Sequence, residues 1–453
     1  MSWTGADIEL CNSNEADSLK RGPGLLPDMQ TIISTLNWEP PAERGTRTAV
    51  GIANERYLFF VLSGLGPEAL VEVAGLRSSE QTHSKVRVQA LSRPGVHPVG
   101  VVHISNGLAS TCMFAKVQRA DYNGGQNLER ELRFLSDVAP LITAENPALR
   151  CPNPIAYYPE RGLLLMEFVP GDSLKRHLFE IKFGINPARR LNLAQLLKYT
   201  GQWLGSMHRL TLQNACGNPL EWLLQQFESA RTKEVFLRYS QKGNYDEMFS
   251  ILRRCLDLKP NFRRNLCRVH GEFTPIHVMV ANEAVYVVDF GNSKLGYAYE
   301  DVGLFAGFYD RLLPWRVAAG AFRIGLDRQK ELFLNGYLEQ APSAFRPADT
   351  AIMRWVRLIS FARLLNGGER RYTGWGRWAY SRLALRILRY NFTAVCRAEL
   401  TALREMRVEI FDEPQAEQVS TCEACGRPVG SAALASGSGD ATHPECDCPA
   451  FLK

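Results

Sequence analysis

Residues 270–291 read His270-Gly-Glu-Phe-Thr-Pro-Ile-His-Val-Met-Val-Ala-Asn-Glu-Ala-Val-Tyr-Val-Val-Asp-Phe-Gly291, and the fold turns on this stretch. Two short runs rich in valine, Val278 to Val280 and Val285 to Val288, flank Ala281-Asn-Glu-Ala284, which is a strand–turn–strand pattern. A hairpin this tight brings its open ends together, so Glu272 to His277 lie beside Asp289. One rim then carries two carboxylates, Glu272 and Asp289, and the imidazole of His277. Such a cluster suits the holding of a metal ion and the activation of a hydroxyl.

Upstream, strand-like text begins at Lys85, where Val86, Val88 and Ala90 alternate with polar residues before a turn at Arg93-Pro-Gly95. Val99 to Ile104 and Thr111 to Val117 read as second and third strands, the latter carrying Lys116 between apolar neighbours. A helix starts near Gln126, with Leu128, Leu132 and Leu135 on one stripe. Ile155 to Tyr158 and Leu163 to Phe168 are further strands, joined by Pro159-Glu-Arg-Gly162. From Leu174 to about Glu409 the period is helical, apart from residues 270–291. Residues before 80 show no repeat or motif; they hold the breaker Asn37-Trp-Glu-Pro-Pro41 and a strand-sized apolar run, Tyr57 to Leu62.

The 453 residues are 45% hydrophobic and 22% charged, a globular balance that excludes fibrous and low-complexity classes. No apolar run approaches the roughly 20 residues that span a bilayer. Acids fall within the first ten residues and no basic region precedes an apolar one, so no secretory signal is read and a soluble cytoplasmic protein is expected. The net charge is +6, but Arg354 to Arg397 holds ten arginines against one acid, Glu369. That segment alone carries +9 and the remainder −3, so overall basicity does not point to nucleic acid. Its interleaved aromatic residues have two readings. One is an amphipathic packed face with snorkelling guanidiniums, the other a surface for an anionic ligand or membrane.

The rim cluster, Lys116 and the ordered elements together resemble the aminoglycoside phosphotransferase and choline kinase families, which share the protein-kinase-like fold. Those families carry His-Gly-Asp followed five residues later by Asn, then a hairpin ending in Asp-Phe-Gly. Here the loop is His270-Gly271-Glu272, with His277 at the Asn position, and then Asp289-Phe290-Gly291. Phe114-Ala-Lys-Val117 is similar to the nucleotide-binding lysine strand, and Leu163 to Leu174 to the hinge. Thr200 to His208 resembles the helix that precedes the acceptor region, and Gly296 to Gly303, with Asp301, the segment after the metal aspartate.

The resemblance implies an α+β, bilobal protein-kinase-like fold with an antiparallel-sheet N-lobe containing one helix and a mainly helical C-lobe. Residues 1–84 would be an N-terminal extension, 85–170 the N-lobe, 171–410 the C-lobe and 411–453 a tail. It also implies ATP-dependent phosphorylation of a hydroxyl on a small polar metabolite or saccharide. Lys116 would bridge nucleotide phosphates, and backbone groups at Glu167, Phe168 and Val169 would meet adenine. Asp289 would hold Mg²⁺ or Mn²⁺, and Glu272 would orient the acceptor hydroxyl. Of the two candidate carboxylates for Lys116, Glu131 lies beside Leu128 and Leu135 at 100° per residue, whereas Glu129 points away. Imidazole prefers softer metals than the usual Asn, so His277 implies a one-metal site, a Mn²⁺ preference or a lost activity. The last leaves a nucleotide-binding pseudokinase scaffold as the alternative function. His270 reads as a structural loop histidine. The turn from Arg93 to Gly100 has few glycines for covering phosphate.

Cys422 and Cys425, then His443 and Cys446, have the spacing of a tetrahedral zinc site, with Cys448 an alternative to Cys446. The intervening Ser431 to Asp440 cannot build an apolar core, so structural Zn²⁺ would supply most of the folding energy and the tail could dock a protein partner. It resembles half of a LIM-type finger or a treble-clef knuckle.

Overall fold

Alternation on the small-lobe strands separates two apolar faces, and each finds its own cover. The computed structural model describes residues 57–75, 85–91, 97–105, 109–118, 126–182, 190–240, 242–311, 323–341, 347–372, 378–406 and 410–411. Strands β1 (Lys85–Ala90), β2 (Val99–Ser105) and β3 (Ser110–Val117) form an antiparallel meander. After β4 (Leu149–Arg150), strands β5 (Pro154–Tyr158) and β6 (Leu163–Glu167) complete the sheet in the order β1-β2-β3-β6-β5. The helix Gln126–Asp137 places Leu128, Phe134 and Leu135 in one core with Leu164 and Met166 of β6. The opposite set, including Val86, Val88, Val102, Met113, Ala115 and Leu165, clusters with Leu58, Val61, Leu62 and Leu70.

That second cover corrects the reading of Tyr57 to Leu62. The run is part of a helix, 57–63, followed by another at Pro67–Val73. Leu58, Val61 and Leu62 stand at i, i+3 and i+4 and are buried, while Phe60 is 41% exposed. A short apolar run does not distinguish strand from buried helix by itself. Here the sheet face formed by β1, β2, β3 and β6 needed a lid, so residues before 85 contribute to the small-lobe core.

In the large lobe, β7 (Asp172–Ser173), β11 (Val278–Ala281) and β12 (Ala284–Val287) join β4 in a four-stranded sheet. Asn282 and Glu283 have φ of 49° and 62° at the tip of the β11–β12 hairpin, the left-handed pair that a two-residue turn of this kind requires. Among the described residues, four shorter pieces were hidden in helical text. These are β8 (Cys216–Gly217), paired with β9 (Arg264–Asn265), and β10 (Cys267–Val269), paired with β13 (Lys294–Gly296). Helices Arg190–Leu210 and Arg323–Gln340 cross closely at Gly201, where a Cβ would lie 2.0 Å from the Phe333 carbonyl oxygen.

The arginine-rich segment divides between helices Pro347–Tyr372 and Trp378–Arg404. Arg354 and Arg357 both donate to buried Glu399, at 2.9 and 2.8 Å, Arg363 donates to Gln226, and Arg389 lies over the Tyr239 ring. These partners favour the packed-face reading for the arginines concerned. Among the described residues, no helix is long and apolar enough to cross a membrane. The zinc-spaced Cys422, Cys425, His443 and Cys446, with Cys448, and the first half of the Arg93–Gly100 turn, lie outside the described residues.

If residues 57–75 are part of the small-lobe core, Leu58→Ala should destabilise the protein by about 2–4 kcal/mol, the range for deleting a buried leucine side chain. Denaturant unfolding of the two proteins checks this.

Candidate active site

Lys116 lies near the end of β3, on the opposite sheet face from Ala115 and Val117. Its Nζ donates to Glu131 Oε2 at 2.6 Å and to Asp289 Oδ1 at 2.7 Å. Glu131 is the helix carboxylate that faces inward; Glu129 instead pairs with Arg133 at the surface. The other Glu131 oxygen accepts the Phe290 backbone N–H at 3.4 Å. One lysine thereby joins the small-lobe helix to the large-lobe hairpin. Burial alone would discharge Lys116, but the Glu131 and Asp289 carboxylates outweigh it and hold the ammonium above its ordinary value. Burial also opposes ionisation of Asp289, yet Lys116 and His277 keep that carboxyl well below the usual range. Asp289 has a φ of 72°, and its side chain is 43% exposed, so one oxygen is turned to Lys116 while the group stays accessible from the cleft.

The loop that carries Glu272 is anchored from below by Asp301. This fully buried carboxylate accepts the backbone N–H groups of His270 at 2.6 Å and Gly271 at 2.9 Å. It also accepts from His208 Nε2 at 3.2 Å, and His208 Nδ1 accepts from the Tyr337 hydroxyl at 3.1 Å. Although burial penalises its charge, these donors lower the Asp301 pKa. Gly271 has a φ of 85°, and a Cβ there would meet the Asn292 carbonyl oxygen at 2.6 Å, so the loop can seat against the turn after Asp289 only with glycine.

His270 is buried, with Nε2 donating to the Val288 carbonyl at 3.0 Å and Nδ1 accepting from the Glu272 N–H at 3.3 Å. Burial pushes its pKa down to about 4. Glu272 is exposed beside this loop. His277 Nδ1 donates to the Glu272 carbonyl at 2.8 Å, and its Nε2 lies 3.7 Å from Asp289 Oδ2. The hairpin geometry thus brings the Glu272 backbone, His277 and Asp289 together, with Lys116 in contact with Asp289 and Glu131 with the neighbouring Phe290 N–H.

The strand β6 ends at the segment expected to meet adenine. Glu167 Oε2 accepts from the Asn153 backbone N–H and side-chain amide at 3.1 and 2.8 Å, which ties this carboxylate to the β4–β5 connection. Phe168 is half-buried, and the buried Val169 accepts a hydrogen bond from the Gly171 N–H at 2.9 Å. Two contributors carried no sequence signal of their own. His97 stands two residues before Val99, the register partner of Lys116 on β3, and is held below its ordinary value by burial and by the Lys116 charge. Tyr337 reaches His208 from a helix far along the chain; only the pairing of helices Arg190–Leu210 and Arg323–Gln340 reveals it.

Residues 112–347 match the family model described as the phosphotransferase enzyme family, and the chain belongs to that family. Among solved structures, it is similar to an amicoumacin kinase held in complex with AMP-PNP and Ca²⁺. Identity there is 14%, covering 72% of this chain and 93% of that one, with a TM-score of 0.44. A glucosamine kinase matches at 14% identity over 80% of this chain and 89% of that one, TM-score 0.43. A choline kinase from Cryptosporidium parvum matches at 13% over 76% and 96%, TM-score 0.40. A search of the curated proteins found no match.

The His270 environment sets a pH dependence. Between its ordinary value of 6.5 and about 4, the unfolded chain binds a proton here that the folded chain refuses. This contribution is therefore present in full above pH 6.5 and is lost as the pH falls through that window, by at most about 1.4 kcal/mol per unit. Denaturant unfolding at several pH values should show a shallower loss in His270→Gln than in the wild type.

Proposed function

We propose that the chain transfers the γ-phosphoryl group of ATP to a hydroxyl of a small polar metabolite or saccharide. The observation that carries this reading is the buried Lys116 shared by Glu131 and Asp289, since it sets a cation for phosphate oxygens beside an accessible, ionised carboxylate. Phosphoryl transfer needs little covalent help from a protein and depends on positioning and charge neutralisation. Lys116 would turn from Asp289 toward the α- and β-phosphates while Glu131 keeps its ammonium in place. Backbone groups of Glu167 to Val169 would hold adenine. The exposed Glu272 carboxylate would orient the acceptor hydroxyl and take its proton as the oxygen bonds to the γ-phosphorus. The bond to the β–γ bridging oxygen breaks, and ADP leaves.

A divalent cation fits this rim: Asp289 offers an ionised oxygen with its side chain 43% exposed, and the His277 ring places Nε2 3.7 Å from the second Asp289 oxygen. When bound, such an ion would neutralise charge on the phosphates. Titration calorimetry with ATP and Mg²⁺ or Mn²⁺ tests the reading. Metal-dependent ATP binding is expected, and Asp289→Ala should abolish it and lower turnover of any acceptor by about 100-fold or more. Binding without turnover across a panel of sugars and amino alcohols would favour the scaffold reading. Absence of ATP binding in the folded protein would overturn the proposal.

For the tail, the Cys422, Cys425, His443 and Cys446 spacing supports a structural zinc site. Elemental analysis should find one zinc per chain, lost when Cys422 and Cys425 are both changed to Ser.

A further inference from the structure

The imidazole of His277 is held more firmly than a surface histidine. Its ring stacks on that of His270, with centroids 5.7 Å apart and planes 18° from parallel. Its backbone N–H donates to the Thr274 carbonyl at 2.9 Å, and its own carbonyl accepts from the Val288 N–H at 3.0 Å, so the loop and the hairpin both fix its position. A carbonyl oxygen only accepts, so the 2.8 Å contact between Nδ1 and the Glu272 carbonyl puts the hydrogen on Nδ1. In the neutral ring, Nε2 then carries the lone pair, and it lies 3.7 Å from Asp289 Oδ2. A backbone carbonyl on the far nitrogen is the outer-shell support that metal-ligating histidines use to fix tautomer and orientation.

Asp289 is divided in a matching way. Oδ1 is engaged by Lys116, and Oδ2 is the oxygen that lies 3.7 Å from His277 Nε2. Nitrogen and oxygen donors each stand about 2.1 Å from a first-row ion, so one ion can bridge donors up to about 4.2 Å apart. The observed separation lies inside that limit without backbone movement.

We propose that His277 Nε2 and Asp289 Oδ2 form a mixed nitrogen–oxygen site that selects a first-row transition ion over Mg²⁺. This rests on the phosphotransferase reading above and adds the identity of the ion it uses. Mg²⁺ demands hard oxygen donors and near-ideal octahedral geometry, and it gives up water reluctantly. A neutral imidazole is the softer donor and favours ions later in the series. With both the tautomer and the ring plane set in advance, the nitrogen is presented to the ion at little ordering cost.

Mn²⁺ is the probe, used with the full-length chain in the presence and absence of a non-hydrolysable ATP analogue. Pulsed electron paramagnetic resonance should show coupling of Mn²⁺ to a directly bonded ¹⁴N, and this coupling should vanish in His277→Asn, which puts an amide oxygen in place of the ring nitrogen. By competition, the Mn²⁺-over-Mg²⁺ preference should fall about tenfold or more in that variant, the scale on which even outer-shell partners act. Circular dichroism confirms that the variant is folded, and His277→Gln provides a second oxygen donor if Asn is poorly tolerated. Mn²⁺ binding that needs Asp289 but shows no nitrogen coupling would overturn the selectivity proposal and leave the phosphotransferase reading standing. Failure of both Mn²⁺ and Mg²⁺ to bind with the analogue would overturn both.

Discussion

A single ammonium group, Lys116 Nζ, holds the two lobes in register. It contacts a carboxylate from each, Glu131 at 2.6 Å and Asp289 at 2.7 Å, while almost wholly removed from water. A buried cation with one partner lost would carry an uncompensated desolvation cost, so the helix Gln126–Asp137 and the β11–β12 hairpin are constrained to meet at this point. The apolar packing follows the same line: Phe290, next to Asp289, stacks on Phe134 of that helix with ring centroids 4.0 Å apart. Charge and packing therefore specify one arrangement of the cleft together.

Beneath the rim, the loop from His270 to His277 is held by groups that never face the cleft. Asp301 gathers two backbone N–H groups and the His208 ring, and Tyr337 completes the chain from behind. Such a network is worth its burial only when every member is satisfied, which rigidifies the loop it carries. The backbone from which the exposed Glu272 side chain projects is thereby fixed, its N–H donating to His270 and its carbonyl accepting from His277. The small lobe relies on the same economy, with a sheet packed on both faces and the helix 57–63 closing the side away from the cleft.

Much of this was legible in residue order. The alternation in β1 to β3, the turn chemistry at Asn282, and the stripe that set Glu131 inward and Glu129 outward are local properties, expressed over a few residues. The helical character of Tyr57 to Leu62 was not legible, because a short apolar run satisfies either period until its neighbours are known. The two-residue pieces β8 and β9 were equally hidden, since each exists only through pairing with a partner distant in sequence. The arginine-rich segment showed its charge but not its partner: Glu399 lies just beyond it, and the helix pairing brings the two together.

By itself, then, the sequence determined the β11–β12 hairpin that sets His277 beside Asp289 and the inward stripe on which Glu131 lies, because periodicity and tight turns act over short separations; the two lobes and a carboxylate partner for Lys116 were what the family resemblance implied. Only the tertiary structure decided which Asp289 oxygen Lys116 occupies, which nitrogen His277 turns toward the cleft, and how Asp301, His208 and Tyr337 anchor the loop. Those contacts join groups from distant parts of the chain, and a hydrogen bond's direction is set by the partner that packing delivers.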